Sequence, residues 1–267
     1  IRATLEHVMG RSPVIPLGDG SWIPTAPPWA EMRGPSALYV NEPACFTHGT
    51  FAGRDSMIGP LYLILAEVLD ANEPMGDWLV RANHELFTVR NAGFSQPYYC
   101  RHDYAHIRRG EVAAFLKLYY NQMAALADRQ TYTFWEHYFG ASPHKTHEEG
   151  WFLMQTRWML WLEDGDTLRL LPAVPRAWLK DGRRIELKKV ASYFGPVDLT
   201  VESHVDEGWI SARVHCRKSR APSRVTLRLP HPLRLKATEA IGGHYDPEHE
   251  TVTIHPFTGT ATVKLRF

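Results

Sequence analysis

The sequence predicts an α+β multidomain fold, in which helical hairpins of a partial (α/α)6 toroid precede a C-terminal antiparallel β-sandwich. Two observations lead to this prediction. In the first part of the chain, apolar residues recur at the three- and four-residue spacing typical of helices. Beyond Pro175 the period changes to two, and turns rich in Gly, Pro and Asp separate short β-branched segments. We therefore assign residues 1–170 to the helical domain and residues 171–267 to the sandwich.

Individual elements follow from the same periodicities. Helical spacing occurs at residues 2–9, 61–69, 75–86, 110–126 and 151–162. The last segment is apolar around most of its circumference, with only Gln155, Thr156 and Arg157 as polar interruptions, so we expect it to be enclosed by other helices. Strands are predicted at residues 184–190, 197–202, 209–215, 224–229, 233–238, 251–254 and 261–267. Helical hairpins with polar loops at one end, followed by these strands, are the basis of the predicted toroid and sandwich.

The composition is that of a globular protein and excludes several classes of function. The chain is 44% hydrophobic and 22% charged with a net charge of +1, so it lacks the basic character of a nucleic-acid binder. No apolar run reaches the length of a membrane span, and we expect neither nucleic acid nor a membrane as a partner. Because phosphate-binding loops, dinucleotide fingerprints and nucleophile elbows are missing from the sequence, no cofactor is predicted.

Two further features concern the state of the chain. The first residue is not Met and a predicted helix begins at once, so we expect a fragment whose missing N-terminal half is a further partner. Cys45, Cys100 and Cys216 have no metal-like spacing. We interpret them as ordinary free thiols, while a bridge between two of them stays open.

A polar loop before the last predicted helix carries the most informative motif. It contains Thr133-Phe134-Trp135-Glu136, then Ser142-Pro143-His144-Lys145-Thr146-His147, and the helix follows from Gly150. With the linker and the predicted sandwich behind it, this arrangement resembles the α-L-rhamnosidases of glycoside hydrolase family 78 and related six-hairpin glycosidases. The resemblance implies an inverting glycoside hydrolase with Glu136 as its general base. The expected substrate is a plant, algal or microbial saccharide, and the resemblance favours one that contains rhamnose.

Glycoside hydrolysis also requires a carboxylic acid that protonates the leaving oxygen. The candidates in this chain are Asp55, Asp103 and the adjacent pair Glu148 and Glu149. Each has an alternative structural role. Glu148 and Glu149 suit the first turn of the following helix, where the helix dipole favours acidic side chains; Asp55 suits a helix cap, and Asp103 an ion pair with Arg108. A general acid outside this chain also stays open.

The loops between the predicted helices concentrate side chains suited to sugar recognition. Their predicted substrate-binding residues are Arg54, Arg101, His102, His106, Trp135, His144 and His147, which we expect to converge with Glu136 and Asp55 at one end of the helical part. Guanidinium groups match carboxylates, which favours a uronic-acid-containing substrate, although a solvated surface cluster is an equal alternative. The histidine spacing fits no zinc signature, and no metal site is predicted.

Two other functions remain open from the sequence. A polysaccharide lyase would use tyrosine and histidine as acid and base and arginine to neutralise a uronate, and Tyr98, Tyr99, Arg101, His102 and His106 provide these groups. A non-catalytic carbohydrate-binding fragment is the second alternative. Release of an unsaturated product would separate a lyase from a hydrolase, and in a non-catalytic fragment Glu136→Gln would leave sugar binding unchanged.

Overall fold

A computed structural model describes residues 2–9, 14–16, 22–24, 61–83, 102–135, 144–217 and 220–267. The chain divides into two compact units, residues 1–155 and residues 156–267. Within the described residues, no helix has the length and apolar character needed to cross a membrane.

The described elements of the first unit are mainly short helices. They are α1 (Arg2–Met9), α2 (Tyr62–Leu65), α3 (Pro74–Asn83), α4 (His102–Arg108), α5 (Val112–Leu126) and α6 (Thr146–Leu160), together with an antiparallel pair of strands, β1 (Val14–Pro16) and β2 (Trp22–Pro24). Helix α6 continues past the boundary between the units. Gly110, at φ 75°, lies between α4 and α5 and supplies the left-handed conformation that ends one helix before the next begins. Phe115, Leu118 and Leu126 form the buried side of α5.

The predicted toroid is wrong. A toroid needs long helices packed as nested hairpins, whereas only α5 and α6 among the described helices exceed ten residues. Helix α6 is not enclosed as predicted, because Leu153 is 66% exposed and Met154 is 40% exposed, while the polar Gln155 is fully buried. Ten of the described strands form instead two five-stranded sheets.

The second unit contains these two sheets, and their strands are β3 (Trp161–Asp164), β4 (Thr167–Leu170), β5 (Arg184–Ser192), β6 (Gly195–His204), β7 (Trp209–Cys216), β8 (Arg224–Arg228), β9 (Glu239–Ile241), β10 (His244–Asp246), β11 (Thr251–Ile254) and β12 (Thr260–Arg266). One sheet has the order β10-β11-β8-β4-β3 and the other has the order β5-β6-β7-β12-β9. Alternate side chains of both sheets enter one shared core, for example Leu168 and Val225 from the first sheet and Leu199 and Val214 from the second. A sandwich-like pair of sheets is therefore present.

This unit differs from the predicted antiparallel sandwich in two respects. Strands β4 and β8 are parallel, with Leu168 opposite Val225. Residues 161–170, predicted to end a helix and begin a linker, instead form the hairpin β3–β4, whose two-residue turn has Gly165 at φ 59°. Buried and partly exposed side chains alternate along β4, and the apolar side chains Leu162, Leu168 and Leu170 of the hairpin are buried.

One predicted strand is absent from the sheets, and several short ones were not predicted. Residues 233–238 form no strand, and the apolar side chains that suggested one, Leu233 and Leu235, are 78% and 51% exposed. Two short strands follow instead: β9 pairs with β12 on the side opposite to β7, and β10 pairs with β11. Apolar alternation alone does not create a strand, because the segment also needs a neighbour with free backbone groups.

An ion cluster fixes the irregular segment between β4 and β5. Arg176 makes a bidentate pair with Glu250, with Nη1–Oε1 and Nη2–Oε2 distances of 2.7 and 2.6 Å. Arg228 donates to the same carboxylate at 3.1 Å and to the carbonyl oxygen of Val174 at 3.0 Å. Burial lowers the pKa of Arg228, and Glu250 partly opposes this effect. The cluster thus holds the segment against β8 and the turn before β11.

Cys216 at the end of β7 is a free, buried thiol. Its Sγ donates to the carbonyl oxygen of Phe194 at 3.6 Å, and burial raises the pKa of the thiol. The predictions for Cys45 and Cys100 lie outside the described residues.

Candidate functional site

Three helices of the first unit share a buried polar network centred on Asp103. This residue lies in the first turn of α4 and is only 1% exposed. Its Oδ1 accepts a hydrogen bond from the backbone N–H of Tyr104 at 2.8 Å. Its Oδ2 accepts from Trp151 Nε1 at 2.8 Å and from Gln155 Nε2 at 2.5 Å. Gln155 also donates to Gln122 Oε1, so the network joins α4, α5 and α6.

These bonds determine what Asp103 does in the folded chain. Three N–H donors occupy its two oxygens, so the side chain acts as an acceptor that fixes α4 to α6. The proposed ion pair with Arg108 is not formed, because Arg108 lies 3.6 Å from Glu67 and 3.9 Å from Asp70 instead. A catalytic role for Asp103 stays a prediction.

A second chain of charged contacts surrounds the corner between α4 and α5. His106, 2% exposed, contacts Glu111 through Nδ1. Arg109 donates from Nε to Glu111 at 2.8 Å and from Nη1 to Asp77 at 3.0 Å and to the carbonyl oxygen of Ala71 at 3.1 Å. These contacts attach α3 to the corner. His106 is therefore part of the interior, and its predicted role in substrate binding would require access to this buried position.

The charges of this corner shift the acidity of Glu111 strongly. Burial raises the pKa of its carboxyl, but the hydrogen bonds and charges of His106 and Arg109 outweigh burial and lower the pKa to about 2. Burial likewise opposes the charged form of Arg109, yet its two acidic neighbours raise the pKa of the guanidinium. The corner is thus an ionic cluster at neutral pH.

The segment after α5 positions Trp135. Asp128 begins a tight turn in which its carboxylate accepts from the backbone N–H of Gln130 at 2.7 Å and its own N–H donates to the Thr133 carbonyl oxygen at 2.9 Å. Ala127 and Phe134 then form an antiparallel bridge, and Trp135 N–H donates to the carbonyl oxygen of Leu126 at 2.9 Å. Trp135 is therefore held by its backbone at the end of α5, with its side chain half-buried.

The entrance to α6 lies beside this segment. Lys145 N–H donates to the carbonyl oxygen of Phe134 at 3.1 Å. Trp135 follows Phe134 and His144 precedes Lys145, so this bond holds their backbones near each other. His144 has φ 56°, a left-handed conformation that turns the chain into the helix. Phe134 itself is buried against Phe152 of α6, with a ring separation of 5.0 Å.

The first turn of α6 contains a carboxylate–imidazole pair. His147 Nδ1 lies 2.8 Å from Glu148 Oε2, and the side chains are 34% and 1% exposed. Glu148, Trp151 and Gln155 are spaced by three and four residues and occupy the same buried side of the helix. The structural alternative for Glu148 and Glu149, acidic residues in a first helical turn, describes their position. A first-turn acid is normally solvated, however, and Glu148 is not.

Several predicted site residues cannot be located. Arg54, Asp55, Arg101 and Glu136 lie outside the described residues, and of His102 only the backbone in α4 is described. Among the described ones, Trp135 and His144 adjoin the Phe134–Lys145 backbone hydrogen bond, and His147 and Glu148 follow in the first turn of α6. Asp103 and His106 share α4, and Asp103 reaches α6 through Trp151. In the described part of the chain, no group of three or more His, Cys, Asp and Glu side chains is placed to hold a metal ion.

Sequence reasoning missed three members of the buried network, Gln122, Trp151 and Gln155. A signal existed: Gln155 interrupts an otherwise apolar segment, and a polar residue in such a position needs a buried partner. No protein-family model matches the sequence, and no curated protein matches it.

Proposed function

We propose that the protein hydrolyses glycosidic bonds, with Glu136 as the general base and Trp135, His144 and His147 at the sugar. One observation carries the proposal beyond the sequence motif. The residues on either side of the segment that contains Glu136 are joined by the Lys145–Phe134 hydrogen bond, and His147 with the buried Glu148 follows at once. Carboxylate, imidazole and indole groups are thus supplied from one short stretch of chain.

The pair suggests a division of tasks. The Glu148 carboxylate oxygen lies 2.8 Å from His147 Nδ1 without forming a hydrogen bond, so its negative charge faces the imidazole. Glu148 is buried, whereas the His147 side chain is 34% exposed; because His147 Nε2 is itself buried, we place the exposed edge of the ring, and not a ring nitrogen, beside the sugar. Glu136 supplies the carboxylate that activates water. We assign the general acid to Asp55 rather than Asp103, because Asp103 already accepts three N–H donors.

The test is hydrolysis of para-nitrophenyl glycosides, with the α-L-rhamnoside and the β-D-glucuronide as first probes. Glu136→Gln preserves size and hydrogen bonding but removes the base, so kcat should fall by about 10²–10⁴-fold while KM changes little. Azide or formate should restore part of the rate by replacing the missing carboxylate. Glu67→Gln is the control, because Glu67 is an exposed residue of the same unit with 61% side-chain exposure.

Three results would overturn the proposal. The first is wild-type turnover by Glu136→Gln. The second is an equal loss in Glu67→Gln, which would indicate a general effect of charge or folding. The third is release of an ultraviolet-absorbing unsaturated product from a polyuronate, because such a product identifies a lyase. Hydrolysis that depends on Glu136 and is rescued by a small anion would support the role of a general base.

A further inference from the structure

The outer face of the antiparallel sheet β5-β6-β7-β12-β9 contains a groove of about 330 Å³. Its volume lies at the lower end of small-molecule sites, which span roughly 300–1,000 Å³ and hold ligands of a few rings. The polar side chains that line it are Arg184, Thr200, Glu202, Ser211, Arg213 and Thr262. They come from four neighbouring strands, and none of them belongs to the site described above.

The alternation of the strands explains why these side chains share one face. Leu199 and Val201 of β6 are buried in the core, so the residues between and after them point outward. The register then arranges the polar residues in two adjacent rows. Arg184, Glu202 and Ser211 form one row, and Thr200, Arg213 and Thr262 form the next.

Most charges on this face are paired with neighbours, whereas two in the groove are not. The ion pairs of the face are Arg184–Glu186, Lys188–Glu186, Asp198–His215 and Arg266–Glu239, at 3.1–3.5 Å. Across the described part of the chain, Arg213 and Glu202 have neither an ion pair nor a side-chain hydrogen bond. The hydroxyl groups of Thr200, Ser211 and Thr262 likewise form no hydrogen bond with the described residues. Arg213 and Glu202 are diagonal in the register, so both face the groove without contacting each other.

We propose that this groove binds a uronate-containing oligosaccharide, with Arg213 on a sugar carboxylate and Glu202 on sugar hydroxyls. A guanidinium pairs with a carboxylate through two parallel hydrogen bonds, and a carboxylate accepts from vicinal hydroxyls. The hydroxyl groups of Thr200, Ser211 and Thr262 both donate and accept, which suits a ligand rich in hydroxyls.

Recognition in this groove is polar. Trp209, two residues before Ser211 on the same side of β7, is already covered: the His204 ring stacks on it at 4.0 Å and Lys264 Nζ lies 4.2 Å from its centre. It therefore offers no free face to a sugar ring. The choice of a sugar as ligand rests on the proposed function, whereas the requirement for a carboxylate comes from Arg213.

The test is isothermal titration of the full chain with trigalacturonate, and with its methyl ester as the neutral counterpart. Trigalacturonate should bind the wild-type chain, and Arg213→Gln should weaken it about tenfold or more, to the level of the methyl ester. Glu202→Gln should weaken both ligands. Arg266→Gln is the matched control, because it removes one positive charge from the same face outside the groove and should leave binding unchanged.

Equal binding of the acid and its ester, or equal losses in Arg213→Gln and Arg266→Gln, would overturn the proposal, as would an absence of binding by a folded wild-type chain. The result is separable from glycosidase activity. A wild-type chain that binds trigalacturonate through Arg213 but hydrolyses none of the aryl glycosides would refute the proposed function alone. Hydrolysis of aryl glycosides with no trigalacturonate binding would refute the groove alone.

Discussion

Removal of Glu250 should be among the most destabilising single changes in the second unit. The carboxylate is 4% exposed and accepts three charged hydrogen bonds, two from Arg176 and one from Arg228. Glu250→Ala would leave Arg228, itself 8% exposed, as a buried charge without its counter-ion. Breaking a buried pair by removing one partner typically costs about 3–5 kcal/mol.

The surroundings place the expected value at the lower end of this range. Arg176 is 30% exposed and can regain water, and each guanidinium keeps one carbonyl acceptor, the oxygens of His231 and Val174. We expect a loss of about 3 kcal/mol in the free energy of unfolding, or roughly 10 °C in the melting temperature of a unit of this size. Equilibrium unfolding in urea, followed by circular dichroism and tryptophan fluorescence, measures the change in free energy of unfolding, and thermal unfolding measures the change in melting temperature.

The control is an ion pair of similar length at the surface. Arg266 Nε lies 3.2 Å from Glu239 Oε2, but the side chains are 58% and 56% exposed. Glu239→Ala should therefore cost no more than about 1 kcal/mol, because solvent screens exposed pairs. If Glu250→Ala lost less than this, or if both variants lost the same amount, burial would not be the reason for the strength of the cluster.

Two further predictions concern the first unit. Asp103→Ala should lower the free energy of unfolding by about 2–4 kcal/mol, because it leaves Trp151 Nε1–H and one of the two N–H groups of Gln155 without an acceptor, whereas Trp151→Phe, which removes one donor, should cost about 1 kcal/mol; equal losses measured in urea would contradict this. Because the folded pKa of Glu111 is about 2 and its ordinary value is 4.5, its contribution to stability is present above pH 4.5 and disappears as the pH falls towards 2. The stability advantage of wild type over Glu111→Gln, measured by unfolding at pH 7 and at pH 3, should therefore shrink; a constant difference would show that the pKa is not lowered.

Local signals were sufficient for several elements. Helix α1 spans residues 2–9 and strand β11 spans residues 251–254, both as predicted, and α5 begins two residues after the predicted start at Gly110. In the central strands β6 and β7, one side enters a core and the other faces outward, which produces the alternation that the sequence shows. These are elements in which one clear periodicity coincides with burial.

The hairpin of residues 161–170 shows where local interpretation failed. Asp164-Gly165 between alternating apolar residues is a strong hairpin signal, yet the preceding apolar run also fits a helix. The decision depends on a distant partner, because Leu168 pairs with Val225 in a parallel register. A short apolar segment carries no information about a strand more than fifty residues away.

The periodicity of the sequence did not predict the buried polar network of the candidate site, for a related reason. Helix α6 presents Leu153 to solvent and buries Gln155, the reverse of what side-chain polarity alone predicts. The burial of Gln155 is possible only because Asp103 and Gln122 supply acceptors from two other helices. Neither residue is near Gln155 in the sequence, so their pairing follows from the tertiary structure and not from the pattern of any one helix.

The parallel pair of β4 and β8 also determines where the second unit begins. Parallel neighbours need a long crossover, and here the connection runs through β5, β6 and β7, three of the five strands of the opposite sheet. A chain that began at residue 171, the predicted domain boundary, would lack Leu168 and Leu170 in the shared core and would leave β8 as an edge strand. The hairpin is therefore part of the sandwich-like unit that carries the groove, although its sequence precedes the linker.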